Sequence, residues 1–223
     1  MTDPFAGGAR NAWPAPRVVL IHGAATTSRV WRRVRPLLTG FDVAVPDRPC
    51  SGDLATEVDA LRAQCAGALV VGVSGGATLG LALAAAGVPM AAALLHEPAV
   101  GSLLPGLLDG VRAAYAAGGV PAFARALYGP AWTEAEAPAD PAAVARDLAM
   151  FSAFEPAAAA PDMGEGRVVI TVGERSPAMR HESVSRLAER FGYPVWVIPD
   201  AGHAVHLTHP AAFADLIRRA DRG

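Results

Sequence analysis

Charge is scarce in this chain. Asp, Glu, Lys and Arg make up 18% of its 223 residues, the formal net charge is −2, and the basic residues are scattered along the sequence. That balance excludes the clustered positive surface on which nucleic-acid binding depends. Long apolar runs are missing too. Hydrophobic residues make up 52% of the chain, yet no run reaches the roughly 18 residues needed to span a bilayer. The longest candidate, 79–86, includes Gly80 and stops at Gly87, and it reads as a buried helix. The first residues, Met1-Thr2-Asp3-Pro4, lack a basic, apolar leader, so no signal peptide is expected. Cysteine is nearly absent. Cys50 and Cys65 could pair, but without a secretory signal they read as two free thiols in a reducing cytoplasm. What is left is a cytoplasmic globule whose length suits one domain.

Strand-like and helix-like stretches alternate through the first hundred residues. Residues 17–21 form a short continuous apolar run ending at His22-Gly23, as a central parallel strand should. A helix is expected over 28–38, with Val30, Trp31, Val34 and Leu38 on one face, and a strand over 41–45. Asp53 caps a helix running to residue 65, with Leu54, Val58 and Leu61 at helical spacing. The pattern repeats with a strand at 68–73, a helix at 75–86 and a strand at 91–96. Later come a strand at 167–172, a helix at 178–191, a strand at 193–198 and a final helix at 210–220. This series predicts an α/β fold: a mostly parallel sheet with helices on both faces and right-handed crossovers. Ligands in such sheets bind beyond the carboxyl ends of the strands.

Residues 101–166 interrupt the rhythm. They are rich in Ala and Pro and predict helices at 107–117, 120–128 and 141–154, with no strand. The aromatic content argues for an ordered helical cap rather than a polar linker. The expected organisation is therefore a core of 1–100 and 167–223 with a cap of 101–166. Tyr128, Trp132, Phe151 and Phe154 of the cap, together with His22 of the core, are the candidate substrate-binding residues.

Gly72-Val73-Ser74-Gly75-Gly76 follows a strand and opens a helix with G-x-S-x-G spacing. A sharp turn there strains Ser74 and lifts its hydroxyl above the sheet, beside a helix N-terminus. The Gly75 N–H can then point at a developing oxyanion, and an N–H of the loop after the first strand, Ala24 for preference, can supply the second donor. A serine hydroxyl needs an adjacent base. Of six histidines, His203 follows the last strand, so its loop opens at the same sheet edge as Ser74. His206 and His209 follow at spacings of three, but nothing completes a metal site, and no metal is expected.

His22-Gly23, Asp47-Arg48, Gly72-x-Ser74-x-Gly76 and Gly202-His203 stand in the order and context of the α/β-hydrolase superfamily, which the chain resembles over nearly its whole length. The resemblance implies Ser74 as nucleophile, His203 as general base, Ala24 and Gly75 as oxyanion donors, and a pared-down sheet lacking two opening strands. Relatives often place the third residue of the triad, an acid, after the penultimate strand. Here that segment is Gly173-Glu174-Arg175-Ser176-Pro177, where Ser176 carries no charge and reads as a helix cap. Some relatives place the acid one strand earlier, and here that position is Glu97, with Glu174 as the alternative. Asp47 and Arg48 are expected to tie loops together.

A serine nucleophile favours acyl transfer: an ester, thioester or lactone of an apolar small molecule, cleaved through an acyl-enzyme without metal or organic cofactor. Neither a nucleic-acid nor a membrane partner is expected, and the sequence is silent on oligomeric state. The alternatives are a cofactor-independent lyase using the same residues, or an inactive member that only binds a ligand. With His203 as base, activity should fall as pH drops through a pKa of about 6.5.

Overall fold

Six parallel strands order themselves β2-β1-β3-β4-β5-β6 in the computed structural model, which describes residues 15–161 and 167–221. They are β1 Arg17–Ile21, β2 Asp42–Ala44, β3 Leu69–Val73, β4 Ala92–His96, β5 Val168–Gly173 and β6 Val195–Ile198. The helices are α1 Leu54–Cys65, α2 Gly75–Ala85, α3 Asp109–Tyr128, α4 Ala142–Ser152, α5 Ala178–Phe191, α6 Val205–Thr208 and α7 Pro210–Asp221. This is the expected parallel α/β architecture. β3 is buried along its whole length, because a central strand is covered on both faces and its side chains need not alternate. The expected buried helix is α2, in which every residue from Gly75 to Ala84 is buried.

Register brings the strand ends into line. Ile21 pairs with Gly72, Val73 with His96, His96 with Thr171 and Gly173 with Ile198. His22, Ser74, Glu97 and the turn after Gly173 therefore emerge side by side from one edge of the sheet.

Local chemistry explains two of the helix boundaries. Asp53 accepts the Thr56 N–H at 2.8 Å and caps α1. Gly192 takes the left-handed conformation that closes α5. The predicted helix at 28–38 is not an α-helix: the segment forms two 3-10 turns, Ser28–Arg33 and Arg35–Leu37. Pro36 has no N–H for an α-helical hydrogen bond, and Thr27 makes no side-chain cap. The tighter path still buries Val30 and Trp31, and Trp31 stacks on Phe213 of α7 at 6.3 Å.

The described part of the segment between β4 and β5 contains helices and no strand. The two helices predicted at 107–117 and 120–128 run together as α3 but are separated by non-helical backbone at Gly118 and Gly119. Residues 162–166 of this segment, and the N-terminal residues bearing on a leader, lie outside the described residues. Among the described residues, no helix is long and apolar enough to cross a membrane. Cys50 and Cys65 are both free and buried, and burial pushes their thiols up to about 11 and about 12.

Candidate active site

The turn between β3 and α2 holds Ser74 at φ 57° and ψ −122°. That conformation is strained for a residue with a Cβ, and its neighbours show why the strand and helix must pass so closely. A Cβ on Gly76 would lie 2.1 Å from the Ile21 carbonyl oxygen, and one on Gly72 would lie 2.4 Å from that of Gly76. The turn is held by the Ser74 N–H, which donates to the His96 carbonyl at 2.9 Å. Thr78 donates its hydroxyl to the Ser74 carbonyl and accepts the Ala99 N–H.

His203 lies in the loop after β6 and is buried. Its Nδ1 is 2.8 Å from Oε2 of Glu97. Glu97 directly follows β4 at φ 47° and is fully buried. Its other oxygen accepts the Gly173 N–H at 2.9 Å and the Ser176 hydroxyl. Burial works to raise the Glu97 pKa, but His96, His203 and Arg180 outweigh it and hold the carboxyl well below the usual range. An ionised Glu97 fixes the His203 proton on Nδ1 and leaves Nε2 as the lone-pair nitrogen. That Nε2 has no hydrogen-bond partner among the described residues, Ser74 included. Burial and Arg180 lower the His203 pKa to about 4, against the opposing pull of Glu97. The sequence-based value near 6.5 is thus corrected downwards, because a buried imidazole beside a guanidinium resists charging.

Glu174, the alternative acid, is exposed and accepts the Asp200 N–H. Ser176 does not cap α5 as expected: the residue before the helix is Pro177, and the Ser176 hydroxyl turns to Glu97 instead.

Ala24 and Gly75 line one small cavity with Ser74, Phe151 and Leu127. Neither N–H has a hydrogen-bond partner among the described residues. The segment between β4 and β5 supports the Ala24 loop from above. Tyr128 donates its hydroxyl to the Ala24 carbonyl at 2.9 Å, and the Trp132 indole donates to that of Ala25 at 3.0 Å. The Tyr128 ring also stacks on His203 at 5.7 Å. From below, Arg48 donates to the carbonyls of His22 and Gly23. It bridges Glu57 of α1 at 3.0 Å and Asp147 of α4 at 2.6 Å.

The expected substrate-binding residues separate here. Phe151 walls the cavity at Ser74, where a Cβ on Gly75 would lie 2.4 Å from its ring. Tyr128 and Trp132 hold the loop. Phe154 is buried, with its carbonyl packed over Gly101. His22 has no nitrogen left for a ligand: Nδ1 meets the Gly23 carbonyl and Nε2 accepts the Arg48 N–H. Arg180, which lines the Ser74 cavity, and Asp147 were missed. Both carried a signal, for each falls on a helical stripe with apolar or buried neighbours: Val144, Asp147, Leu148 and Phe151, and Arg180, Ser183, Val184 and Leu187. A charge on such a stripe needs a partner.

The profile of the Alpha/beta hydrolase family matches residues 18–216. The chain belongs to the α/β-hydrolase family. Among solved structures, this α/β hydrolase is similar to a lipase-esterase related protein from Clostridium acetobutylicum, with a TM-score of 0.73 and 12% identity over 92% of this chain and 94% of that one. It is similar to a thermophilic esterase from Thermogutta terrifontis, with a TM-score of 0.69 and 22% identity over 94% and 90%. A thioesterase domain from the curacin biosynthetic pathway gives a TM-score of 0.61 and 18% identity over 92% and 93%. No curated protein sequence matches the chain. At these identities the likeness is one of fold.

Proposed function

We propose that this α/β hydrolase is a serine hydrolase that cleaves a carboxylic ester or thioester of a small molecule through an acyl-enzyme. One observation carries the reading: His203 donates to buried Glu97 at 2.8 Å while its other nitrogen stays unpartnered, and a serine on a strained strand-to-helix turn leaves the same sheet edge. In the reaction, Ser74 Oγ bonds to the acyl carbon and passes its proton to His203 Nε2. The alcohol or thiol leaves with that proton as the bond to the acyl carbon breaks. Water then attacks the acyl-enzyme, giving a proton to His203, and Ser74 recovers one as the acid is released. The imidazolium formed midway is stabilised by Glu97. The N–H groups of Ala24 and Gly75 receive the oxyanion, and residues 101–166 act as the cap.

Treatment with a fluorophosphonate probe tests this. Wild-type protein labels at Ser74, and both Ser74→Ala and His203→Ala lose the label. A folded wild-type protein that does not label overturns the reading and favours a binding role.

A further inference from the structure

Beyond Ser74, His203 and Glu97, the site holds a largely buried cation whose hydrogen-bonding capacity Glu97 takes up only in part. Arg180 sits in the first turn of α5 with its side chain 9% exposed. Nη1 donates to the Glu97 carbonyl at 3.3 Å, and Nε stands 3.8 Å from Glu97 Oε2, beyond hydrogen-bond reach. Nη2 makes no side-chain hydrogen bond to any described residue. Glu97 does not need this guanidinium as a donor, because His203, Gly173 and Ser176 already fill its two oxygens. The guanidinium is thus largely buried with Glu97 as its ion-pair partner, and it keeps donor capacity for an acceptor in the cavities it lines.

Its surroundings indicate what that is. Arg180 lines the small cavity containing Ser74, Gly75 and Ala24, and also a neighbouring cavity of about 520 Å³ that His203 borders. The larger cavity is walled by apolar residues of α3 and by the start of α5, Ser176, Pro177 and Met179. The first turn of α5 contains no acidic residue, so its unpaired N–H groups add positive potential. Arg175, the other cation on this wall, is paired with Asp200. No carboxylate lines either cavity.

We infer that Arg180 is a specificity residue that receives a carboxylate borne on the acyl part of the substrate, so that the ester cleaved is the half-ester of a dicarboxylic acid. The inference rests on the serine-hydrolase reading for where the ester lies, while the anion site stands on the cavity and the guanidinium. A planar guanidinium suits a carboxylate because two parallel N–H donors meet its two oxygens. The apolar walls along α3 suit the methylene chain between the carboxylate and the ester.

Two measurements test this. The first compares hydrolysis of monomethyl glutarate with that of methyl butanoate, which resembles it but lacks the charge. Wild type favours the charged ester in kcat/KM by about ten- to a hundredfold, the usual worth of a hydrogen bond to a charged group. Arg180→Gln abolishes the ratio, and Arg180→Lys keeps part of it. If Arg180 merely balances Glu97, both esters lose activity by one common factor and the ratio survives, which overturns the proposal. A wild type indifferent to the charge overturns it too. The second is calorimetric binding of monomethyl glutarate to Ser74→Ala protein, which needs no chemistry at Ser74. Binding that weakens about tenfold or more when Arg180→Gln is added supports the anion site, even if fluorophosphonate labelling fails. Equal binding with and without Arg180 sinks it, even if labelling succeeds.

Discussion

Ser176 donates its hydroxyl to the same carboxylate that holds His203. Glu97 reaches forward from the end of β4, and Ser176 supports it from the turn after β5. Replacing Glu97 by Gln puts an amide beside His203 Nδ1 and favours the wrong tautomer. The expected loss in kcat is about 10⁴-fold, with an unchanged far-ultraviolet circular dichroism spectrum. Ser176→Ala removes only one of the hydrogen bonds to Glu97 and should cost about tenfold. Ser176→Asp should cost far more, because two carboxylates would then face each other in a buried site. An active Ser176→Asp variant would contradict this arrangement.

Acid should affect rate and stability over different ranges. In the proposed reaction His203 serves as base only when neutral, and burial with Arg180 lowers its folded-state pKa to about 4. The kcat/KM profile is therefore expected to stay level from about pH 8 to about pH 5 and to fall near pH 4. Stability behaves differently. Above about pH 6.5 the imidazole is neutral whether the chain is folded or not, so it contributes no pH dependence. Below that, the unfolded chain takes up the proton first and stability declines, until the folded protein also protonates near pH 4. His22, lowered to about 3 by burial and Arg48, and His206, lowered by burial, act in the same direction. Urea midpoints should fall from pH 7 to pH 5 while brief rate assays remain level. A rate that halves near pH 6.5 would mean that His203 titrates as though exposed.

Arg48 ties β2's following loop to α1 and α4 through two buried carboxylates, and it also clasps the His22 and Gly23 carbonyls. Arg48→Met strands Glu57 and Asp147 without their cation. Removing one partner of a buried ion pair costs about 3–5 kcal/mol, visible as a lower urea midpoint with little change in slope. The loop bearing Ala24 loses its lower support at the same time, so kcat should fall more than KM rises. Replacing Arg48, Glu57 and Asp147 together by apolar residues should recover much of the stability but not the rate.

The fold could be read from the sequence almost element by element, because parallel strands such as Leu69–Val73 and capped helices such as Leu54–Cys65 declare themselves through continuous apolar runs and local hydrogen bonds. The 28–38 segment misled, since its apolar spacing is helical while Pro36 denies it the α-helical hydrogen bond. At the site, Ser74, His203 and Glu97 were legible because each sits just past a strand end, where topology alone brings them to one edge. For Arg180 and Asp147 the helical stripe signals a buried charge, but the rotation of each helix about its own axis decides what that charge faces. Ser176 illustrates the remaining gap: serine before proline is a plausible helix cap, and only the approach of Glu97 across the sheet edge gives its hydroxyl a better partner.

Because the carboxylate beside His203 comes from the end of β4, the turn and first helical residues after β5 owe it only the Ser176 hydroxyl and the nearby Arg180 guanidinium. Positions 175, 177 and 179 are released to vary with whatever fills the cavity they border. Descendants of this sequence could change their ligand there by single substitutions, leaving the histidine's support where it is.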